Sequence, residues 1–194
     1  MSGFKLVPFG PENSAMVLAW RNSERIRSNM LDDSVIETAD HSSFLQLLAE
    51  DQSKAYFVVE LRNTPVAALY FAKLGGDEVT WGCYIGSEKI IPGLFVALLL
   101  IAIKYSFGLP TTNVLRSEVA AHNANSIKLH RFLDIPESGR FCGSTSSGEK
   151  VEFIEYRLFS AAREKVIRKA QKVMPSSMKQ SYETVTLETL DANT

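Results

Sequence analysis

The chain has 194 residues, of which 45% are hydrophobic and 22% charged, with a formal net charge of −1. That length and composition fit a single globular domain with a full core. The near-zero charge excludes a broad phosphate footprint, so no nucleic-acid partner is expected. Cys83 and Cys142 lie outside any CxxC pair and read as reduced thiols in a cytoplasmic protein. His41, His122 and His130 lack metal-ligand spacing, so no metal is expected. The longest apolar run covers fourteen residues, 90–103, and is broken by Pro92-Gly93. It is too short to span a bilayer and suits a buried helix, so no membrane partner is expected.

In chain order, Phe4 to Phe9 alternates and starts a strand. Pro11-Glu-Asn-Ser offers helix-start chemistry, and 15–27 carries helical spacing through Met16, Leu18, Ala19, Trp20 and Ile26. A second helix begins near Thr38, with Thr38 or Asp40 as its cap. Lys54 to Leu61 is a β-branched and aromatic strand. Arg62-Asn-Thr-Pro turns the chain into a hairpin partner beginning at Pro65, and Gly75-Gly-Asp turns it again into Glu78 to Ile85. The apolar helix follows, roughly Leu94 to Tyr105. Then come a strand over 114–120, a helix over 126–133, and strands over 138–141 and 151–159. The last helix runs through Arg163 to Lys172; its basic residues have the spacing of a solvated helix face. Residues 1–173 are expected to form one domain, and 174–194, rich in Ser, Thr and Glu, a flexible tail. Meandering strands flanking one strand–helix–strand crossover predict a mixed α/β sheet.

Three places could carry chemistry. The helix after Pro92-Gly93 follows a strand directly, and its first free N–H groups could face a phosphate. Alone, it reads first as a turn before a core helix. The second is Glu118 with His130, separated by Asn123, Asn125 and Ser126. Polar groups where a strand hands over to a helix are typical of a ligand site at a sheet edge. Glu118 could take a proton directly or through water, and His130 suits either proton role near neutral pH. Each has a plain structural reading beside this one: an exposed strand carboxylate, a satisfied core histidine, and Asn123 as a helix cap. The third is Trp20-Arg21-Asn22, where Arg21 and Asn22 could line a polar pocket beside a tryptophan core anchor.

Together these segments resemble the GNAT superfamily of acyl-CoA-dependent N-acetyltransferases, from Phe4 to about Phe159. The carriers are Val17-Leu-Ala-Trp-Arg-Asn22, Tyr56-Phe-Val-Val-Glu60, Trp81-Gly-Cys-Tyr-Ile-Gly86, Pro92-Gly-Leu-Phe-Val-Ala-Leu-Leu-Leu100 and Leu115 to His130. Their order is similar to one branch, the PseH-type enzymes, which acetylate the 4-amino group of a UDP-linked amino-dideoxy sugar on the route to pseudaminic acid. The resemblance implies a mostly antiparallel central sheet with one parallel splayed pair, flanked by helices. It implies acetyl-CoA as co-substrate and a nucleotide sugar as acceptor, and a homodimer is left open.

By resemblance, the pantetheine arm enters beside Glu118, and Ile91, Gly93, Leu94, Phe95, Val96 and Ala97 form the pyrophosphate loop. Phe95 stands where relatives have the middle glycine of that loop, and Pro92 where they have Gln or Arg. Asn123 and Ser126 contact the CoA arm, and a backbone N–H near Tyr84 or Ile85 stabilises the oxyanion. Glu118 corresponds to the base for the amine. His130 falls where relatives have a tyrosine that protonates the leaving thiolate. Arg21, Asn22 and Trp81 are the candidate acceptor contacts. Two alternatives stay open: an acceptor that is a protein N-terminus or other small amine, as in RimJ/RimL-type enzymes, and a GNAT-like module that has lost catalysis.

Overall fold

The structure, a computed structural model, describes residues 3–146 and 148–187. The elements run β1 (Phe4–Pro8), α1 (Pro11–Asn22), α2 (Glu24–Arg27), α3 (Thr38–Glu50), β2 (Lys54–Leu61), β3 (Thr64–Ala72) and β4 (Glu78–Ile85). They continue α4 (Leu94–Ser106), β5 (Val114–Ala120), α5 (Ala124–Phe132), β6 (Glu137–Ser144), β7 (Lys150–Phe159), α6 (Arg163–Val173), α7 (Ser176–Glu183) and β8 (Thr186–Leu187). The strands form one sheet in the order β6-β7-β5-β4-β3-β2-β1-β8. It is mixed and mostly antiparallel, as expected, but it holds two parallel pairs, β4–β5 and β1–β8, where one was expected.

Local chemistry explains several boundaries. The β2–β3 hairpin turns on Arg62 and Asn63, both with positive φ, 55° and 62°. Two left-handed residues give the turn a twist that matches the strands it joins. The helix expected over 15–27 breaks in two at Ser23, which is extended (φ −65°, ψ 138°). The Ser23 hydroxyl donates to the Trp20 carbonyl at 2.7 Å, which satisfies the first helix's end. The third helix starts at Thr38, the first of the two expected caps. Glu37 holds the cap position without a side-chain bond, and Thr38 and Asp40 lie inside the helix.

Helices cover both faces of the sheet. Tyr56 and Tyr70 stack at 5.2 Å on the face covered by α3, where Phe44 meets Tyr56 edge-on. Phe57 and Phe71, one residue further along each strand, point the other way and meet Tyr105 of α4. Residues Ala97 through Ile103 of α4 are at most 2% exposed. A helix apolar on every side must be covered on every side. The sheet covers one side of α4, and α6 and α7 pack on it as well.

This corrects the expectation of a flexible tail from residue 174. Met174 and Met178 are 3% and 5% exposed, and β8 adds a parallel rung to β1. The tail's Ser and Thr content concealed two apolar anchors, Met174 just after α6 and Met178 in α7. Residues 188–194 lie outside the described residues. Met178→Ala should lower unfolding stability by about 2–4 kcal/mol, the usual loss for truncating a buried methionine. An unchanged denaturation midpoint would mean that α7 is not docked.

Candidate active site

The strands β4 and β5 pair over only three rungs, Glu78–Val114, Val79–Leu115 and Thr80–Arg116. Beyond them the two strands part. The Gly86 N–H donates to the Val66 carbonyl at 2.9 Å, which fixes the phase of the β3–β4 ladder. In an antiparallel ladder, alternate residues turn both backbone groups away from the partner. Gly82 and Tyr84 therefore face β3, while Cys83 and Ile85 face the gap. Of the two residues where a backbone donor was expected, Ile85 therefore turns its N–H to the gap and Tyr84 does not. Arg25 of α2 confirms the direction, because its Nη1 donates to the Ile85 carbonyl at 2.9 Å from outside the ladder.

The gap opens into a cavity of about 410 Å³. It brings together Trp81, Tyr84, Ile85 and Phe95 with Glu118, Asn123, Ser126 and His130. Asn123 also caps α5, its side chain accepting from the Ser126 N–H at 3.2 Å. Cys83 lines the same wall, but desolvation pushes its thiol up to about 12, so it stays protonated near neutral pH. Burial raises the Tyr84 phenol in the same way.

Glu118 and His130 reach this cavity from opposite sides of the sheet. The His130 ring bonds Ser117, and residues 117 and 118 point to opposite faces of β5. One cavity reaches both only because the sheet is split there. Glu118 lies in a charged patch with Glu78, Arg116, Glu155 and Arg157. Arg116 Nη2 donates to Glu118 Oε1 at 2.6 Å and also to Glu155. Arg157 Nε donates to Glu78 Oε2 at 2.7 Å. The Glu118 side chain keeps 28% of its surface exposed.

His130 is 2% exposed, and both ring nitrogens are engaged. Nδ1 lies 2.8 Å from the Ser126 carbonyl, an acceptor only, so this nitrogen carries the proton. Nε2 lies 3.0 Å from Ser117 Oγ. The ring stacks on Tyr156 at 4.2 Å, and desolvation lowers its pKa from the usual histidine value. In the neutral ring Nε2 is the acceptor and Ser117 donates to it. In this neutral form the one ring proton is on Nδ1, directed at the Ser126 carbonyl.

Other expected residues lie outside the cavity wall. Leu94 and Ala97 are core residues, 1% and 0% exposed. Ile91, Gly93 and Val96 sit at the start of α4 without lining the cavity. The Leu94 and Ala97 N–H groups are already taken, by the Ile91 and Gly93 carbonyls. Gly93 is left-handed (φ 81°), and a Cβ there would meet Pro175 Cδ at 2.6 Å. Pro175, between α6 and α7, is thus seated against this loop.

Arg21 and Asn22 also lie off the cavity. The Asn22 amide bonds the Ile36 backbone both ways, at 2.8 and 2.9 Å, and Arg21 donates to the Asp32 carbonyl. Both hold the segment between α2 and α3 instead of lining a pocket. Sequence reasoning missed Arg25, Asn29, Met30 and Ser117, all in the cavity wall. Arg25 stands four residues after Arg21, beyond the break at Ser23. Ser117 is the polar residue in an otherwise apolar row with Leu115 and Val119.

No protein-family profile matches the chain. It is 26% identical over 116 residues to acetyltransferase PseH of Campylobacter jejuni, covering 60% of this chain and 72% of that protein. Its fold matches a spermidine N-acetyltransferase from Vibrio cholerae, solved with CoA and spermine. That match has a TM-score of 0.75 at 14% identity, over 84% of this chain and 98% of the other. The crystal structure of C. jejuni PseH with acetyl coenzyme A matches with a TM-score of 0.60 at 21% identity, over 81% and 99% of the two chains. Among the described residues, no helix is long and apolar enough to cross a membrane, and no cluster of three or more His, Cys, Asp or Glu could hold a metal. The chain has the fold of the GNAT N-acetyltransferases and resembles PseH among them.

Proposed function

We propose that this protein is an acetyl-CoA-dependent N-acetyltransferase whose acceptor is the 4-amino group of a nucleotide-linked amino-dideoxy sugar. The observation that carries the reading is the cavity at the parting of β4 and β5, with backbone groups of Cys83 and Ile85 turned into the gap and a carboxylate opposite. The acetyl-pantetheine arm enters that gap and completes the broken ladder. The Ile85 N–H stabilises the oxyanion as the amine adds to the thioester carbonyl. Asn123 and Ser126 flank the arm.

The Phe95 and Val96 N–H groups, which have no backbone acceptor among the described residues, face the pyrophosphate at the start of α4. Glu118 takes a proton, directly or through water, from the acceptor's ammonium group. The acceptor approaches from the side of Arg25, Asn29 and Met30. The sugar assignment draws its support from the likeness to PseH.

A mass-spectrometric acceptor screen tests it. With acetyl-CoA and equal concentrations of a UDP-linked 4-amino-4,6-dideoxy sugar, spermidine and a peptide with a free N-terminus, acetylation is expected on the sugar. Preferential turnover of spermidine or the peptide would overturn the sugar and keep the transferase. The Phe95 side chain, which lines the cavity where relatives have glycine, is the feature that would favour a non-catalytic module. Absence of acetyl-CoA binding would decide for that reading.

A further inference from the structure

We propose that Ser117 is a catalytic residue whose hydroxyl, backed by His130, carries one proton from the attacking nitrogen to the departing sulfur. The inference rests on the acetyl-transfer reading above. Its basis is a buried chain of three groups on one wall of the cavity: Ser117 Oγ, 3.0 Å to His130 Nε2, then His130 Nδ1, 2.8 Å to the Ser126 carbonyl. Ser117, Ser126 and His130 are 6%, 6% and 2% exposed, and all three line the cavity.

The polarity of the chain is fixed. The Ser126 carbonyl can only accept, so the proton sits on Nδ1 and Nε2 presents a lone pair to Ser117. A hydroxyl with a base behind it and a third group orienting that base is arranged to give up its proton inward and receive another from outside. The arrangement accepts a proton before it can return one.

The transfer needs such a group. Overall, R–NH₃⁺ and the acetyl thioester give the amide, CoA–SH and H⁺, so the nitrogen loses two protons. Glu118 and water take the first and release it. The free amine's lone pair then forms the C–N bond, and the carbonyl electrons move to oxygen. In this intermediate Ser117 Oγ takes the second proton from nitrogen while its own passes to His130 Nε2. As the C–S bond breaks with its electron pair on sulfur, the thiolate takes a proton from Ser117. Ser117 recovers its own from His130, and the pair ends as it began. Glu118 and Ser117 project to opposite faces of β5, so the two proton routes do not compete for one space.

The neutral ring is held by its surroundings. Tyr156 of β7 packs on it, and desolvation is the leading influence on His130. Glu137 and Arg140 of β6 and Arg131 of α5 act on Tyr156, while among the described residues the His130 shift comes from desolvation and, opposing it, the Ser126 backbone hydrogen bond. The relay therefore fails only when pH falls far enough to protonate a ring whose pKa lies below the usual histidine value.

Two measurements test the relay. The first, ¹⁵N spectra of the histidines in the free protein at pH 7, needs no acceptor. His130 should be neutral with its proton on Nδ1; an imidazolium or an Nε2–H ring would overturn the relay whatever becomes of the transferase reading. The second is the pH profile of sugar acetylation. Ser117→Ala should lower kcat by about 100-fold or more with the acetyl-CoA Kd unchanged, and its residual rate should lose the acid limb that belongs to His130. Ser117→Cys, which keeps a transferable proton, should recover part of the rate. A wild-type kcat in Ser117→Ala, an unchanged acid limb, or an acetyl group found on Ser117 by intact mass would overturn the proposal. The last result would make the hydroxyl a nucleophile.

Discussion

Glu118→Gln is expected to lower kcat/KM for the acceptor by about 100-fold at pH 7, with acetyl-CoA affinity little changed. The amide can still sit in the Glu118 position and accept a bond from Arg116, but it cannot take a proton. The defect should shrink as pH rises, because alkaline solution supplies free amine without help from the protein. A pH series of kcat/KM with the wild type alongside measures this. Equal turnover at pH 7, or a deficit that does not shrink with pH, would remove Glu118 from the proton path. The fold should tolerate the change. The patch holds three glutamates and two arginines, so losing one negative charge relieves repulsion instead of creating it.

Arg116→Met should produce the larger loss of stability, about 3 kcal/mol by chemical denaturation. Arg116 touches Glu78, Glu118 and Glu155, whose side chains are 27%, 28% and 17% exposed. Glu118 and Glu155 are directly opposed across the β5–β7 ladder, where like charges repel. Removing the shared cation leaves partly buried carboxylates facing one another, which costs far more than losing an exposed pair. Adding Glu155→Gln to Arg116→Met should restore part of the loss. If the double variant is no more stable than the single one, the cost lies in packing of the arginine stem and not in the carboxylates.

The strand and helix sequence was legible from periodicity because each element carries its own signal. Glu118 and His130 were legible as a pair, since the strand-to-helix turn brings them to one place. Their relation was not. The shared cavity depends on β5 parting from β4 after three rungs, and parallel register is set by what lies on both sides of the sheet, not by either strand alone. Ser117 was passed over because a serine in an apolar row looks like a weak core residue, and only the folded chain shows His130 behind it. Arg21 and Asn22 misled for a related reason. Their polarity is spent on the backbone of the segment before α3, a partner that sequence spacing does not reveal. The residues after 173 read as a tail on composition, because Met174 and Met178 lie on either side of Pro175 and only the fold shows them covered. The all-round apolar character of α4 was visible and implied a cover on its outer side.

The proposed transfer depends on acetyl-CoA entering the gap between β4 and β5, and its effect on thermal unfolding measures that most directly. At about 100 times its Kd, acetyl-CoA should add roughly 2.7 kcal/mol to the native state. For a chain of this size that raises the Tm by about 5–10 °C. An unmoved Tm at millimolar acetyl-CoA would mean that the parted strands do not hold the cofactor, and the protein would not be the transferase proposed.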